Sequence, residues 1–393
     1  MADVQTGFGP FIASYLSGYK RTEGEISFAL SVGTLTAMIS QIPAGAFVDA
    51  LTGKRLAAAL AIVAISLSAV LLACSPSRFP VLIAEVLHGF ASCMLTPAIA
   101  AISLALVGRR ALGRRLGINA RWAAVGNGIA AAAMGSLGSL FSTRMVFWFT
   151  AILGVPSIAA LYSIPRATIP KSKTPDRETL SIATGSGLRI LFTDRRLLGF
   201  AGCVLLFQLS NAAMLNLAAG EATMDMAGGV QLIIAACIIV PQIVVAALSP
   251  WVGRAAAQHG RRPILLLGLA ALPIRAVLFC FVGGTYFLVP IQIFDGISAA
   301  MLGVMLPLVA ADIAGDSGRY NLTIGALGFV GGIGATVSTS MAGFIADTFN
   351  AQIAFLALAA AGLGAVLLAW LAMPETSEAD EPRLATATAG ASD

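Results

Sequence analysis

PAGAFVDALTGKR, running from Pro43 to Arg55, ends one apolar stretch and begins the next. The run from about 26 to 48 stops here, an Asp, a Gly and two cations arrive together, and a second apolar run starts at Leu56. Two segments, each close to the roughly 20 residues needed to cross a bilayer, with so few polar residues between them, predict a tight hairpin joining two membrane helices.

Composition agrees. Hydrophobic residues make up 58% of the 393 positions and charged residues 11%, against roughly 25% charged in soluble domains, and the mean hydropathy is +0.88. Only helices or closed barrels satisfy their backbone in lipid, and the runs are too long for barrel strands. The chain therefore reads as an all-α integral membrane protein that meets the lipid bilayer along most of its length. The net charge of +5 does not point to nucleic acid, because the cations are confined to loops and positive-inside topology accounts for them. Cys74, Cys93, Cys203, Cys237 and Cys280 all fall in apolar runs without a C-x-x-C pair. They read as packing residues, not disulfides or metal ligands.

The hairpin resembles the loop between the second and third transmembrane helices of the major facilitator superfamily of secondary transporters, G-x-x-x-D-(R/K)-x-x-G-R-(R/K). Gly45, Asp49, Gly53, Lys54 and Arg55 match it, while Ala50 stands where the family carries a cation. The resemblance implies twelve crossings in two pseudo-symmetric six-helix bundles.

In chain order, the segment from 4 to 17 is short of a full crossing before Tyr19, Lys20 and Arg21. The first span is thus expected to be truncated, with its true start upstream of Met1. Spans 2 to 6 are predicted at about 25–48, 56–74, 79–107, 122–141 and 145–164. A polar linker covers 165–196, in which 188–196 reads as either a surface helix or plain linker. Spans 7 to 12 follow at about 197–218, 230–252, 263–283, 286–310, 321–345 and 351–373, and an acidic, small-residue-rich tail at 374–393 reads as disordered. The predicted units are therefore a first bundle at 1–164, the linker, a second bundle at 197–373 and the tail.

Eighteen Lys and Arg, including Lys54, Arg55, Arg109, Arg121, Arg261 and Arg319, fall on one side of this scheme, and Lys20, Arg21, Arg78 and Arg144 on the other. The larger set marks the cytoplasmic side of a multi-pass protein of the cytoplasmic membrane. The halves also repeat. Gly53-Lys54-Arg55 and Gly260-Arg261-Arg262 stand 207 positions apart, as do Glu85-x-x-His88-Gly89 and Gln292-x-x-Asp295-Gly296; Asn119 looks like a later match to Asn321 at 202. A parallel duplication places a substrate site near mid-membrane between the halves. In the second copy Ala256 takes the place of the motif's Asp.

By resemblance, the motif residues Gly45, Asp49, Gly53, Lys54 and Arg55 latch the halves together, with Asp49 facing the start of span 11 near Asn321. Two glycines suit a tight turn and close helix approach; the plainer reading is a solvated hairpin. Ionisable groups inside apolar runs each cost roughly 2.5–3.5 kcal/mol at a helix centre, so they are where chemistry is expected. Where the family commonly has R-x-x-Q-G in its fourth helix, this chain has Glu85 and His88 before Gly89. Residues three apart share a helix face, so the pair reads either as a proton-exchanging or substrate-contacting site or as a mutually satisfied structural pair. Asp3 is a cavity carboxylate if span 1 extends upstream, and an end charge otherwise. Arg275 and Asp295 fall at similar depths and read as an ion pair, with proton or substrate binding by Asp295 as the rival. Gln208, Asn211 and Asn216 offer neutral polar groups on span 7 to a solute or to neighbouring helices.

Enzymatic readings find little support: the two histidines, His88 and His259, make no H-E-x-x-H site, and no Walker motif is present. No cofactor is implied. The sequence is read as a monomeric, proton-coupled secondary transporter that exports a small, partly apolar solute. Uptake of a small polar metabolite and a non-transporting receptor or scaffold remain the alternatives.

Overall fold

The computed structural model describes residues 12–373, apart from 13–14, 17–18, 20, 22, 52, 165–193, 216, 219–229, 282–286 and 316–318. The described residues are helical throughout, with short turns between. The first half contributes α1 (Glu23–Ala50), α2 (Lys54–Cys74), α3 (Arg78–Leu140) and α4 (Thr143–Tyr162). The second contributes α5 (Arg195–Asn211), α6 (Val230–His259), α7 (Arg261–Phe281), α8 (Leu288–Ala314), α9 (Tyr320–Thr348) and α10 (Ala351–Ala372). Among the described residues, nine of these helices are long and apolar enough to cross a membrane, and α5 is shorter at 17 residues.

α3 is two crossings folded at one residue. Gly108 has φ 66° and ψ 177°, a left-handed conformation that a side chain disfavours. A straight helix would hold Ser103 and Asn119 about 24 Å apart. Asn119 Nδ2 nevertheless donates to Ser103 Oγ at 2.7 Å, so the chain doubles back at Gly108. This corrects the expected start of span 5. The arginines at 109, 110, 114 and 115 suggested a loop, but Arg, Ala and Leu are strong helix formers, and helix continues directly from Arg109. Arg121 accordingly lies within the return leg, about 18 Å along it, and not in a loop; the bias of cations toward one side survives its removal.

The duplication is visible in the coordinates. Gly108 and Gly315, 207 positions apart, both take positive φ where the chain reverses. α2 and α7 have the same length of 21 residues. Lys54 Nζ caps the end of α1 by donating to the carbonyls of Val48 and Asp49, and Arg261 Nη1 does the same for α6 at Ala256. One position on, Arg55 donates to the carbonyls of Leu161 and Tyr162 at the end of α4, and Arg262 to that of Trp370 near the end of α10. Each cation meets helix carbonyls that lack an intrahelical donor and carry the negative end of the dipole. Arg261 additionally pairs with Asp312 on α8 at 3.0 Å.

Each half has its own core, around Ile62, Leu95 and Phe147 in the first and around Phe200, Leu269 and Val304 in the second. The second core continues across the interface into Ala100, Ala101, Leu112 and Leu116 of α3, which fastens the halves at one end. Large apolar side chains elsewhere stay exposed, such as Val155, Phe281 and Leu371, as a lipid-facing surface requires. Four of the cysteines are buried as expected, whereas Cys74, at the end of α2, is exposed. The predicted linker up to 193 and the tail from 374 lie outside the described residues; at the linker's end, Asp194 accepts from the backbone N–H of Arg196 and Leu197 and caps α5.

Candidate functional site

The cation-rich ends of the halves, on the side that the charge bias assigns to the cytoplasm, meet at two crossings. In the first, α1 lies against α9. The Asp49 carboxylate accepts from Leu322 N at 2.8 Å, Asn321 N at 3.2 Å and Asn321 Nδ2 at 2.6 Å. Helix N-termini leave such N–H groups unsatisfied and carry partial positive charge, so Asp49 of one half serves as a cap for a helix of the other. It can reach because the backbones nearly touch: a Cβ on Gly45 would overlap the Asn321 carbonyl, and a Cβ on Gly325 that of Gln41. Gly53 plays no comparable part, since its φ is −109° and a Cβ there would make ordinary contact with Leu56.

The second crossing joins the return leg of α3 to α6. Here a Cβ on Gly253 would overlap the carbonyl of Gly113, and one on Gly117 that of Ser249. Gly45 and Gly253, Gly113 and Asn321, and Gly117 and Gly325 are each 208 positions apart. The partner of Asn321 in the repeat is therefore Gly113 and not Asn119, whose resemblance in sequence misled. Asn119 is turned to a cavity instead.

That cavity, of about 700 Å³, opens next to both crossings, with Leu116 and Ile324 among its walls. Its polar groups are Thr96, Asn119 and Trp122 from α3, Gln208 and Asn211 from α5, and Asp295 from α8; Phe207, Leu302 and Leu306 are among its apolar walls. The sequence points to Gln208, Asn211 and Asp295 as site residues, to Asn119 only as a repeat match of Asn321, and not to Thr96 or Trp122. An expected start near 122 for span 5 leaves Asn119 outside the membrane helices.

Asp295 is held from behind. Arg275, 1% exposed, donates through Nη1 to Asp295 Oδ1 at 2.7 Å and to Asn211 Oδ1 at 2.5 Å, and through Nη2 to Gln292 Oε1 at 2.7 Å. Its guanidinium also lies 5.6 Å from the Phe279 ring centre. One buried cation thus ties α5, α7 and α8 together and compensates a carboxylate whose side chain keeps 22% exposure. Gln292 is fully buried and completes this network. Its only signal in the sequence was its place in the repeat, opposite Glu85.

Glu85 is placed differently. It is 5% exposed and packs on α1 at Gly33, where an added Cβ would overlap its Oε2. Its Oε1 has no hydrogen-bond partner among the described residues. Glu85 and His88 do not bond to one another; His88, half-buried, has Ser92 Oγ 3.3 Å from its Nε2. The expected direct exchange between Glu85 and His88 is therefore not seen. Asp3 and Asn216 lie outside the described residues.

The sequence profile of the Major Facilitator Superfamily matches residues 2–242 and, a second time, 214–392. The chain belongs to the major facilitator superfamily. Membership makes it a multi-pass membrane transporter of small molecules and not an enzyme. It is 32% identical over 393 residues to an uncharacterized MFS-type transporter of Mycobacterium tuberculosis, found alike in strains CDC 1551 / Oshkosh and ATCC 25618 / H37Rv, with 97% of this chain and 92% of the relative aligned. Two solved superfamily structures share the fold. The human organic anion transporter MFSD10 (TETRAN) superposes with a TM-score of 0.65 at 17% identity, covering 93% of this chain and 89% of that one. The proton:xylose symporter XylE, bound to 6-bromo-6-deoxy-D-glucose, gives 0.71 at 13% identity, covering 96% and 93%. In this superfamily fold the central cavity lies between the two halves, where Gln208, Asn211 and Asp295 are found.

Proposed function

We propose that the protein is a proton-coupled secondary transporter of the cytoplasmic membrane, acting as a monomer and exporting a small, partly apolar solute through the cavity between its halves. The observation that carries this reading is the setting of Glu85. An ionised carboxylate kept from water without a counter-charge is costly, and the described surroundings of Glu85 supply no cation. Its charge is cancelled by taking up a proton, and giving that proton back when the halves rock supplies the coupling. Asp295 does not serve in the same way, because Arg275 already compensates it.

The solute class follows from the walls. Phe207, Leu302 and Leu306 bury apolar surface, Trp122 offers a ring face, and Asn119, Gln208 and Asn211 offer directional hydrogen bonds. The Asp49 cap and the glycine crossings act as the latch that shuts the cytoplasmic end while the cavity faces outward.

The test uses everted vesicles acidified inside and followed with a pH-sensitive dye. Under this reading an exported solute releases protons from the vesicles, and Glu85→Gln abolishes the release while solute binding persists. Proton movement unchanged in Glu85→Gln removes Glu85 from the mechanism. Solute-driven proton movement of the opposite sense assigns uptake.

A further inference from the structure

We propose that the outer end of the first half holds a second site, apart from the transport cavity, for an anionic phospholipid of the outer leaflet. A cavity of about 540 Å³ lies there between the chain before α1, the start of α1 and the start of α3, within the roughly 300–1,000 Å³ typical of small-molecule sites. Leu16, Ala29, Val81 and Leu82 give it apolar walls. Its polar end is a cluster of three: Glu25 accepts from Arg78, pairs with Arg21 at 3.5 Å, and Arg21 Nη2 donates to the Pro76 carbonyl at 3.1 Å.

Two features select the occupant. The first is charge: among the described side chains lining the cavity, Glu25 offsets one of the two arginines, which leaves one positive charge over. Each guanidinium has five donors in a planar fork suited to phosphate, more than one carboxylate can take up, and the Arg78 side chain remains 70% exposed. Cations are scarce on the outer side of a membrane protein; here two of the four in the outer loops converge on one cavity. The second feature is position. Phe28 and Phe79, also in the wall, are 61% and 80% exposed, which leaves apolar surface open beside the arginines for an acyl chain to cover. A phosphate on the arginines with an acyl chain along the apolar wall fits both features, whereas a soluble anion leaves the wall empty.

The test is native mass spectrometry of the full chain in detergent, titrated with dioleoyl-phosphatidylglycerol or dioleoyl-phosphatidylcholine. Phosphatidylglycerol is expected to be retained about tenfold better, because both lipids offer a phosphate to the guanidiniums but only phosphatidylcholine brings a quaternary ammonium that the residual positive charge repels. Arg78→Gln, at an exposed position, and Arg21→Gln should each bring it down to the phosphatidylcholine level. Equal retention of the two lipids, unchanged selectivity in both variants, or displacement of phosphatidylglycerol by millimolar inorganic phosphate would each overturn the assignment. The result is independent of proton coupling, since neither arginine lies in the central cavity.

Discussion

Glu85 and Gln292 occupy the same place in the two halves, 207 positions apart, but only Gln292 has an arginine beside it. Arg275 donates to Gln292 at 2.7 Å, while the position 207 before Arg275 is Ser68, fully buried and bonded to the Ile65 carbonyl of its own helix. The halves have diverged at one buried spot: the second keeps a compensated, hydrogen-bonded network, and the first keeps a carboxylate pressed against Gly33. This difference is what singles out Glu85 as the proposed proton carrier.

Gly33→Ala tests that assignment without touching the carboxylate. The added Cβ meets the mobile end of the Glu85 side chain, so the helices stay packed while the carboxylate is displaced. Proton release in everted vesicles should fall at least tenfold with expression and thermal stability near those of the parent. Full coupling in this variant would show that the seating of Glu85 on Gly33 does not matter.

Asp49→Asn removes the charge from the cap on α9 but keeps an acceptor. Hydrogen bonds to charged groups contribute about 1.5–3 kcal/mol, so the closed cytoplasmic end should lose at least tenfold in population. With Cys introduced at the cavity residue Thr96, a membrane-impermeant maleimide applied from the cytoplasmic side should label Asp49→Asn faster than the parent. Equal labelling rates would mean that the cap does not hold the closure.

The crossing glycines should divide sharply from the others. Gly45→Ala and Gly117→Ala place a methyl into opposing backbone and are expected to block cytoplasmic closure, giving fast labelling at the Thr96 position and little transport. Gly126→Ala, where an added Cβ meets nothing within 4 Å, and Gly53→Ala should transport nearly as well as the parent. Loss of transport in Gly53→Ala would restore to that glycine the turn role its backbone does not require.

Arg275→Met strands Asp295 in a site built around a cation. Breaking a buried pair from one side costs about 3–5 kcal/mol, to be read as a large fall in the detergent melting temperature. The double variant Arg275→Met with Asp295→Asn should recover most of the stability, because the stranded charge is gone. If the single variant melts like the parent, the network contributes packing and not charge compensation.

Much of the site was legible along the chain. Gly45 and Asp49 stand out through their match to the superfamily's hairpin motif, Arg275 and Asp295 through matching depth, and Gln208 and Asn211 through their place on one helix face. Less legible was the return leg of α3. Arginines near a membrane edge look the same in a loop and in a helix that overshoots the bilayer, so Asn119 does not read as a membrane residue; Trp122 falls at the start of the expected span, but its turn toward the cavity depends on helix rotation. Gly53 erred in the other direction: a motif glycine was given a turn that its φ of −109° does not need.

Sequence by itself determined that this protein crosses the membrane many times, which of its two sides carries most of the cations, and that its halves are copies. These properties follow from hydropathy, charge bias and a constant offset, which are summed along the chain and do not depend on where a helix is rotated. Tertiary structure alone decided what each rare charge meets. Asp49 finds Asn321 and Leu322, more than 270 positions away, Arg275 turns to Asn211, Gln292 and Asp295, and Glu85 turns to Gly33. Such partners are fixed by how close two backbones approach and how each helix is turned about its axis, and that geometry exists only once the halves have packed.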